Sequence, residues 1–218
     1  MRVSVRYARA LALEPRLEEA LALVTPARRE KALRHRKRPD LLRSVAAGLL
    51  LRKCLGVSGD SDLIAGPLGR PELSLPGPFF NLSHSGDFTA LALCRDGPCG
   101  LDIEPVDRAS RRDLLAARVF SPEERELLAS HLADRSLFYI LWTRKESLLK
   151  AAGLGLFREP ASFSTVPLHA PSFRALGAEW ALASLVREGH VFSIAAPAER
   201  DTPLECEILE STAEELLS

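Results

Sequence analysis

Apolar and polar residues alternate from Val3 to Tyr7, which predicts a first strand. Glu18 to Val24 reads as a short helix, and Thr25-Pro26 supplies an N-cap and first-turn pair for the next one. That next segment, ARREKALRHRKR, is strongly basic. Asp40 is expected to cap a longer helix, LLRSVAAGLLLRKCL, which Gly56 closes. Residues 57–80 are rich in Gly and Pro and read as loop. FTALALC (Phe88 to Cys94) and CGLDIEPV (Cys99 to Val106) read as two strands, with RDGP between them as a hairpin turn. Ser121 opens a helix, and a second helix covers Ser136 to Ala152. Beyond Gly155 the chain turns β-rich, and EWALASLVREGHVFSIAAP reads as another hairpin with its turn at REGH. This faint echo of the first hairpin suggests two α+β halves, about 1–100 and 101–200. Residues 201–218 lie beyond them as a tail, either loose or a docked helix.

Composition narrows this little. The chain has 218 residues, enough for one large domain or two small ones with a real core. Lys plus Arg and Asp plus Glu number 29 each, so no global charge draws the molecule to a polyanion. Cys54, Cys94, Cys99 and Cys206 form no C-x-x-C pair and have no His at zinc-ligand spacing. Scattered thiols suit a reducing cytoplasm. MRVSVRYARALAL lacks the apolar core of a signal peptide, and Val45 to Leu51 is too short to cross a bilayer. A cytoplasmic protein is the expectation.

Candidate chemistry lies in a few short runs. In Gly100-Leu101-Asp102-Ile103-Glu104, strand alternation points Asp102 and Glu104 the same way. Adjacent carboxylates repel unless solvated or bridged by a cation, and Mg²⁺ prefers such oxygen ligands. A half-exposed acidic strand face is the plainer alternative. In FYILWTRKESLLKAAGLGL, Trp142, Glu146 and Lys150 fall on one helical stripe. Glu146 and Lys150 form either a surface pair or a third carboxylate with an amine one turn on. Gly153 and Gly155 end that helix. In Phe79-Phe80-Asn81-Leu82-Ser83-His84-Ser85-Gly86, a histidine between two serines can donate to an anion. Gly69-Arg70-Pro71 is a turn presenting one cation. Arg28 and Lys31 share a helical face suited to a compact phosphate, and Arg43 opens the following helix. Ser121-Pro122-Glu123-Glu124 is an S-x-x-E capping box, so Glu124 is either a helix cap or a chemical group.

The order of these runs is more specific than any one of them: basic helix, GRP, FNLSHSG, GLDIE, FSPEE, then LWTRKESLLKAAGLGL. The chain resembles the Sfp-type 4′-phosphopantetheinyl transferase family, which carries GKP or GRP, F-N-x-S-H-S, G-[IV]-D-x-E, F-S-x-x-E and W-x-x-K-E-[SA]-x-x-K-x-x-G-x-G. The resemblance extends over about residues 1–200. It implies an α+β fold of two similar α/β subdomains related by a pseudo-twofold axis. Each has a small, mainly antiparallel sheet packed on helices, with coenzyme A in the cleft between them. It implies Asp102, Glu104 and Glu146 as ligands of Mg²⁺, with Mn²⁺ as an alternative, and Lys150 as the lysine at the pyrophosphate. His84 and the Ser83 backbone resemble the phosphate contacts. Arg28, Lys31 and Arg43 resemble the cations around the 3′-phosphate, Gly69, Arg70 and Pro71 the adenine-side loop, and Glu124 the general base. Arg28 and Arg70 stand where lysine is familiar, and an arginine fork does not reproduce a lysine's contacts.

The implied reaction moves phosphopantetheine from coenzyme A to a serine of an apo acyl or peptidyl carrier protein, leaving adenosine 3′,5′-bisphosphate. Fatty acid, polyketide and non-ribosomal peptide carriers all remain open. A monomer with no nucleic-acid or membrane partner is expected. The competing readings are a metal-dependent nuclease and a nucleotide-binding module without catalysis.

Overall fold

The computed structural model describes residues 1–66, 69–106, 112–154 and 159–218, with backbone alone over 112–114. Ten strands and seven α-helices are described. β1 (Arg2–Arg9) is followed by α1 (Leu17–Leu23), α2 (Pro26–Leu33) and α3 (Arg38–Leu55). A small pair, β2 (Leu63–Ala65) and β3 (Pro71–Leu73), interrupts the expected loop. Then come β4 (Phe79–Ser85), β5 (Phe88–Cys94) and β6 (Gly100–Pro105). Next are α4 (Arg112–Val119), α5 (Pro122–Ser130) and α6 (Arg135–Ala151). The chain ends with β7 (Phe173–Ala175), β8 (Ala178–Arg187), β9 (His190–Pro197), β10 (Glu205–Glu210) and α7 (Ala213–Leu217).

Two four-stranded sheets carry the fold, in the orders β10-β1-β5-β4 and β6-β9-β8-β7. Alternation along each strand assigns the layers. On one face of the first sheet, Ala8, Phe80 and Leu91 pack with Leu42, Val45, Leu49 and Leu50 of α3. On its other face, Val3, Val5, Tyr7, Phe88 and Ala90 meet Leu101, Ile103, Phe192 and Ile194 of the second sheet. The far side of the second sheet packs Leu182 and Ala195 against Leu148, Leu149 and Ala151 of α6. The molecule is therefore a mixed α/β stack of helices, sheet, sheet and helix.

Three sequence expectations change. β5 and β6 are not a hairpin: β5 pairs with β1 and β4, while β6 pairs with β9 in the other sheet. Both strands are apolar enough to be buried on both faces, so the turn-like RDGP became a crossing between sheets. Hairpins form instead at β4–β5, turning at Gly86 with φ +58°, at β7–β8, and at β8–β9 as expected. Asp40 does not cap α3, which starts two residues earlier after Lys37; Asp40 instead pairs with Arg43 in the first turn. Gly56 does close α3, with φ +71°. The segment after residue 200 supplies β10, parallel to β1, and α7, whose Leu216 and Leu217 enter the core under α3. Gly155 lies outside the described residues; Gly153 takes φ +67° just after α6.

Candidate active site

β4 is an edge of the first sheet and β6 an edge of the second, and the two run side by side. Asn81, Ser83 and Ser85 occupy alternate positions on β4, all facing β6. The Asn81 amide oxygen accepts from the Leu101 N–H at 2.8 Å. Ser83 Oγ donates to Asp102 Oδ1 at 3.2 Å, and Ser85 Oγ donates to Glu104 Oε2 at 2.7 Å. Partner numbers rise together, so the strands run in the same direction.

α6 closes this seam from above. Gly100 permits the approach: a Cβ there would lie 1.8 Å from the Ser147 carbonyl oxygen and 2.6 Å from the Ala151 nitrogen. From Leu141 to Lys150, α6 is buried except along Trp142, Glu146 and Lys150, the stripe expected to bear chemistry. Lys150 Nζ donates to Asp102 Oδ1 at 2.6 Å, Leu101 O at 3.0 Å and Ser83 Oγ at 3.4 Å. Its three donors are thus turned inward onto β6 and β4.

The acids form one electrostatic group. Burial raises the pKa of Asp102, against the pull of Lys150. Burial, and then the charge of Asp102, raise that of Glu146. Burial likewise raises that of Glu104, opposed by Ser85. Asp102 Oδ2 and Glu146 Oε1 are buried with no hydrogen-bond partner, an expensive state for an acceptor. Among the described residues, however, no three His, Cys, Asp or Glu side chains close into a finished metal cage.

The other face of β4 carries Phe80, Leu82 and His84 toward α3. Loss of hydration lowers the pKa of His84, and the positive charges of Arg43 and Lys150 lower it further. Arg43 donates to the Gly86 carbonyl at 2.6 Å and lines a cavity of 320 Å³ with Ala10, Leu11, Pro39, Gly86 and Asp87. Arg28 is half-buried on α2, where Gly48 of α3 leaves it room, and Lys31 is exposed. No hydrogen bond or ion pair engages either side chain among the described residues.

Two expected roles are corrected. Arg70 is not a freely presented cation. It donates to the carbonyls of Lys150 at 2.9 Å, Phe80 at 2.5 Å and Cys99 at 3.1 Å, tying the end of α6 to β4 and the start of β6. Gly69, with φ +75°, and Pro71 shape the β2–β3 turn that delivers it. Glu124 is 0% exposed. Its Oε1 accepts from the Thr165 N–H and hydroxyl, both at 2.8 Å. Its Oε2 accepts from the Ser121 N–H at 2.9 Å and pairs with Lys145 at 2.8 Å. A carboxylate offers about four acceptor sites, and all are filled, so Glu124 has none left for a substrate proton.

Sequence reasoning passed over Ser85, Asn81 and the buried cations Arg144 and Lys145. Lys145 also donates to the Pro160 carbonyl at 2.7 Å and lies 4.3 Å over the Phe163 ring. The period-two polar pattern of Asn81, Ser83 and Ser85 was the available signal for the first two. Lys145 is the K of the W-x-x-K-E motif, but nothing local marks its buried role, because its partners lie in other segments of the chain.

Residues 98–195 match the model of the 4′-phosphopantetheinyl transferase superfamily. The chain is 34% identical over 160 residues to the 4′-phosphopantetheinyl transferase ffp of Bacillus subtilis, covering 70% of each chain. It is 36% identical over 126 residues to the 4′-phosphopantetheinyl transferase AcpT of Salmonella typhi, covering 56% of this chain and 65% of that one. A Synechocystis sp. relative is 32% identical over 145 residues, covering 62% of this chain and 59% of its own. The chain thus spans about three fifths of the length of these last two relatives. Taken with the seam of acids, serines and lysine between two edge strands, these matches place the chain in the 4′-phosphopantetheinyl transferase family.

Proposed function

We propose that the protein transfers 4′-phosphopantetheine from coenzyme A to a serine hydroxyl of an apo acyl or peptidyl carrier protein, releasing adenosine 3′,5′-bisphosphate. The observation that carries this reading is the pair of buried, partnerless acceptors, Asp102 Oδ2 and Glu146 Oε1, contributed by a strand and a helix beside a lysine. Orphaned carboxylate oxygens fit a divalent cation better than any protein donor nearby. Asp102, Glu104 and Glu146 would hold Mg²⁺, with Mn²⁺ as an alternative. Bound there, the ion supplies charge stabilisation at a pyrophosphate.

The remaining steps belong to side chains. Lys150 places an ammonium at the pyrophosphate and stabilises the charge that builds as the bond breaks. His84, the Ser83 backbone and Arg43 hold phosphate oxygens on the α3 side, and Arg28 and Lys31 on α2 serve the 3′-phosphate. Gly69, Arg70 and Pro71 flank the adenine end, with Arg70 acting chiefly through its ties to the backbone. Glu146, whose Oε1 has no internal partner, takes the serine proton in place of Glu124, whose oxygens are filled by internal donors. Residues 1–100 supply the coenzyme A contacts and residues 101–200 the acids and Lys150. We read these halves as similar subdomains related by a pseudo-twofold axis, supported by a sheet with helical cover built from each, the first being completed by β10 from beyond residue 200. Within that reading the protein works as a cytoplasmic monomer; among the described residues no helix is long and apolar enough to cross a membrane.

The test is intact mass. Apo carriers from fatty acid, polyketide and non-ribosomal peptide systems are incubated with protein, coenzyme A and Mg²⁺. One carrier gaining a single phosphopantetheine mass supports the reading. No gain on any carrier, with coenzyme A intact, sinks it. Cleavage of plain DNA would favour the nuclease alternative.

A further inference from the structure

We propose that Ser85 is a positioning residue that fixes the Glu104 carboxylate in the acidic set. The inference rests on the transferase reading with a divalent ion at Asp102, Glu104 and Glu146.

Glu104 needs such a partner. It is the last acid on β6, next to Pro105, and only half-buried, with a long side chain free to swing into solvent. Ser85 Oγ approaches Glu104 Oε2 at 2.7 Å, a short hydrogen bond to a charged acceptor. Among the described residues this is the hydrogen bond that holds the Glu104 carboxylate.

The register makes the contact specific. Asn81 locks β4 to β6 by accepting from the Leu101 N–H at 2.8 Å. Two and four residues on, Ser83 and Ser85 meet Asp102 and Glu104, which are themselves two residues apart. The two serines are not equivalent. Ser83 lies 3.2 Å from Asp102 and also receives a long contact from Lys150 at 3.4 Å. Among the described residues, Ser85 Oγ bonds Glu104 alone. Elsewhere the facing sides of the two sheets are apolar, with Val3, Val5, Phe88, Leu101 and Ile103. A fold selected only for stability would continue apolar residues along this seam, because enclosed hydroxyls add nothing unless hydrogen-bonded. The polar face of β4 is thus spent on orienting acids, while its opposite face sends His84 toward α3. One strand links the phosphate side of the cleft to the acidic side.

The experiment follows Mn²⁺ by electron paramagnetic resonance of the free ion, with coenzyme A present, for wild type, Ser85→Ala, Ser85→Thr and Asp102→Asn. Melting temperature, kcat and the KM for coenzyme A are measured alongside. Ser85→Ala is expected to weaken Mn²⁺ binding roughly tenfold, the usual effect of losing a partner behind a ligand. Its melting temperature and KM for coenzyme A should stay near wild type, and Ser85→Thr, which keeps the hydroxyl, should restore Mn²⁺ affinity. If Asp102→Asn loses Mn²⁺ while Ser85→Ala binds it like wild type, the positioning role is wrong and the transferase reading stands. If Asp102→Asn binds Mn²⁺ unchanged, the acidic set is not the metal site, and both readings fall. Should the alanine variant not fold, Ser85→Cys provides the same comparison with a much weaker donor.

Discussion

Glu146 and Lys150 sit one helical turn apart, yet they are not an ordinary surface pair. Lys150 reaches away to Asp102 at 2.6 Å, leaving Glu146 with a buried, unpartnered oxygen. Burial and the negative charge of Asp102 hold the Glu146 pKa above the usual carboxylate range. A carboxyl raised in this way binds protons more readily in the folded chain than in the unfolded one. Its contribution favours folding at low pH and is lost as pH rises from the ordinary carboxylate value through the raised one. In chelator at neutral pH, Glu146→Gln should therefore raise the melting temperature by about 2–4 °C, the shift that ~1 kcal/mol gives in a chain of this size. It should also flatten the decline of stability with pH and abolish transfer. Calorimetry across pH is the check, and a lower melting temperature would contradict the repulsion. Glu124 shows the opposite balance. Its four acceptor contacts anchor α5, α6 and the Thr165 segment, and removing one partner of a buried pair costs about 3–5 kcal/mol. Glu124→Ala should lose that much stability in urea unfolding. The fraction still folded should transfer phosphopantetheine at a near-normal rate, which a missing general base would not allow.

At the scale of elements, the decisive contact is β6 against α6. The glycine of GLDIE sits in a strand, as the sequence pattern predicts. It is glycine because the α6 backbone occupies the space where a side chain would be, the Ser147 oxygen being 1.8 Å from a Cβ position. Backbone cannot yield as a flexible side chain can. Gly100→Ala should thus force strand and helix apart, destabilise the protein by about 1–3 kcal/mol or more, and separate Asp102 and Glu104 from Glu146. Denaturant unfolding together with Mn²⁺ binding would read both effects; unchanged Mn²⁺ affinity would show that α6 tolerates the shift. The helices themselves were legible. Thr25 caps α2 and Ser121 with Glu124 forms the expected capping box of α5, because caps join residues only three apart. Strand pairing was less legible. FTALALC and GLDIEP were both recognised as strands, but their apolar character on both faces does not state which neighbour buries them.

Across the whole molecule, the site depends on pieces far apart in the chain. Arg70 holds the Lys150 carbonyl across 80 positions, and β10 completes the first sheet from the opposite end of the sequence. Truncation after Leu204 would remove β10 and α7, uncover the edge of β1 and withdraw Leu216 and Leu217 from the core. Burying each leucine is worth about 1.5–3 kcal/mol, so the shortened chain should lose about 3–6 kcal/mol and self-associate through its bare edge. Thermal melting and light scattering test this; a shortened chain as stable and monodisperse as the full one would mean that this segment does not dock as described.

The sequence by itself determined what neighbours in the chain can decide: the periodicity of β1, α3 and α6, the β8–β9 turn, the helix caps, and the motif order that points to the family. These rest on hydrogen bonds and side-chain spacings within a few residues. Only the tertiary structure decided which strands pair, that Glu124 and Arg70 are committed to internal partners, and that Ser85 serves Glu104. A lone pair or an N–H can be filled by any complementary group that the fold brings near. Which group arrives depends on how two sheets and a helix bury their apolar faces together.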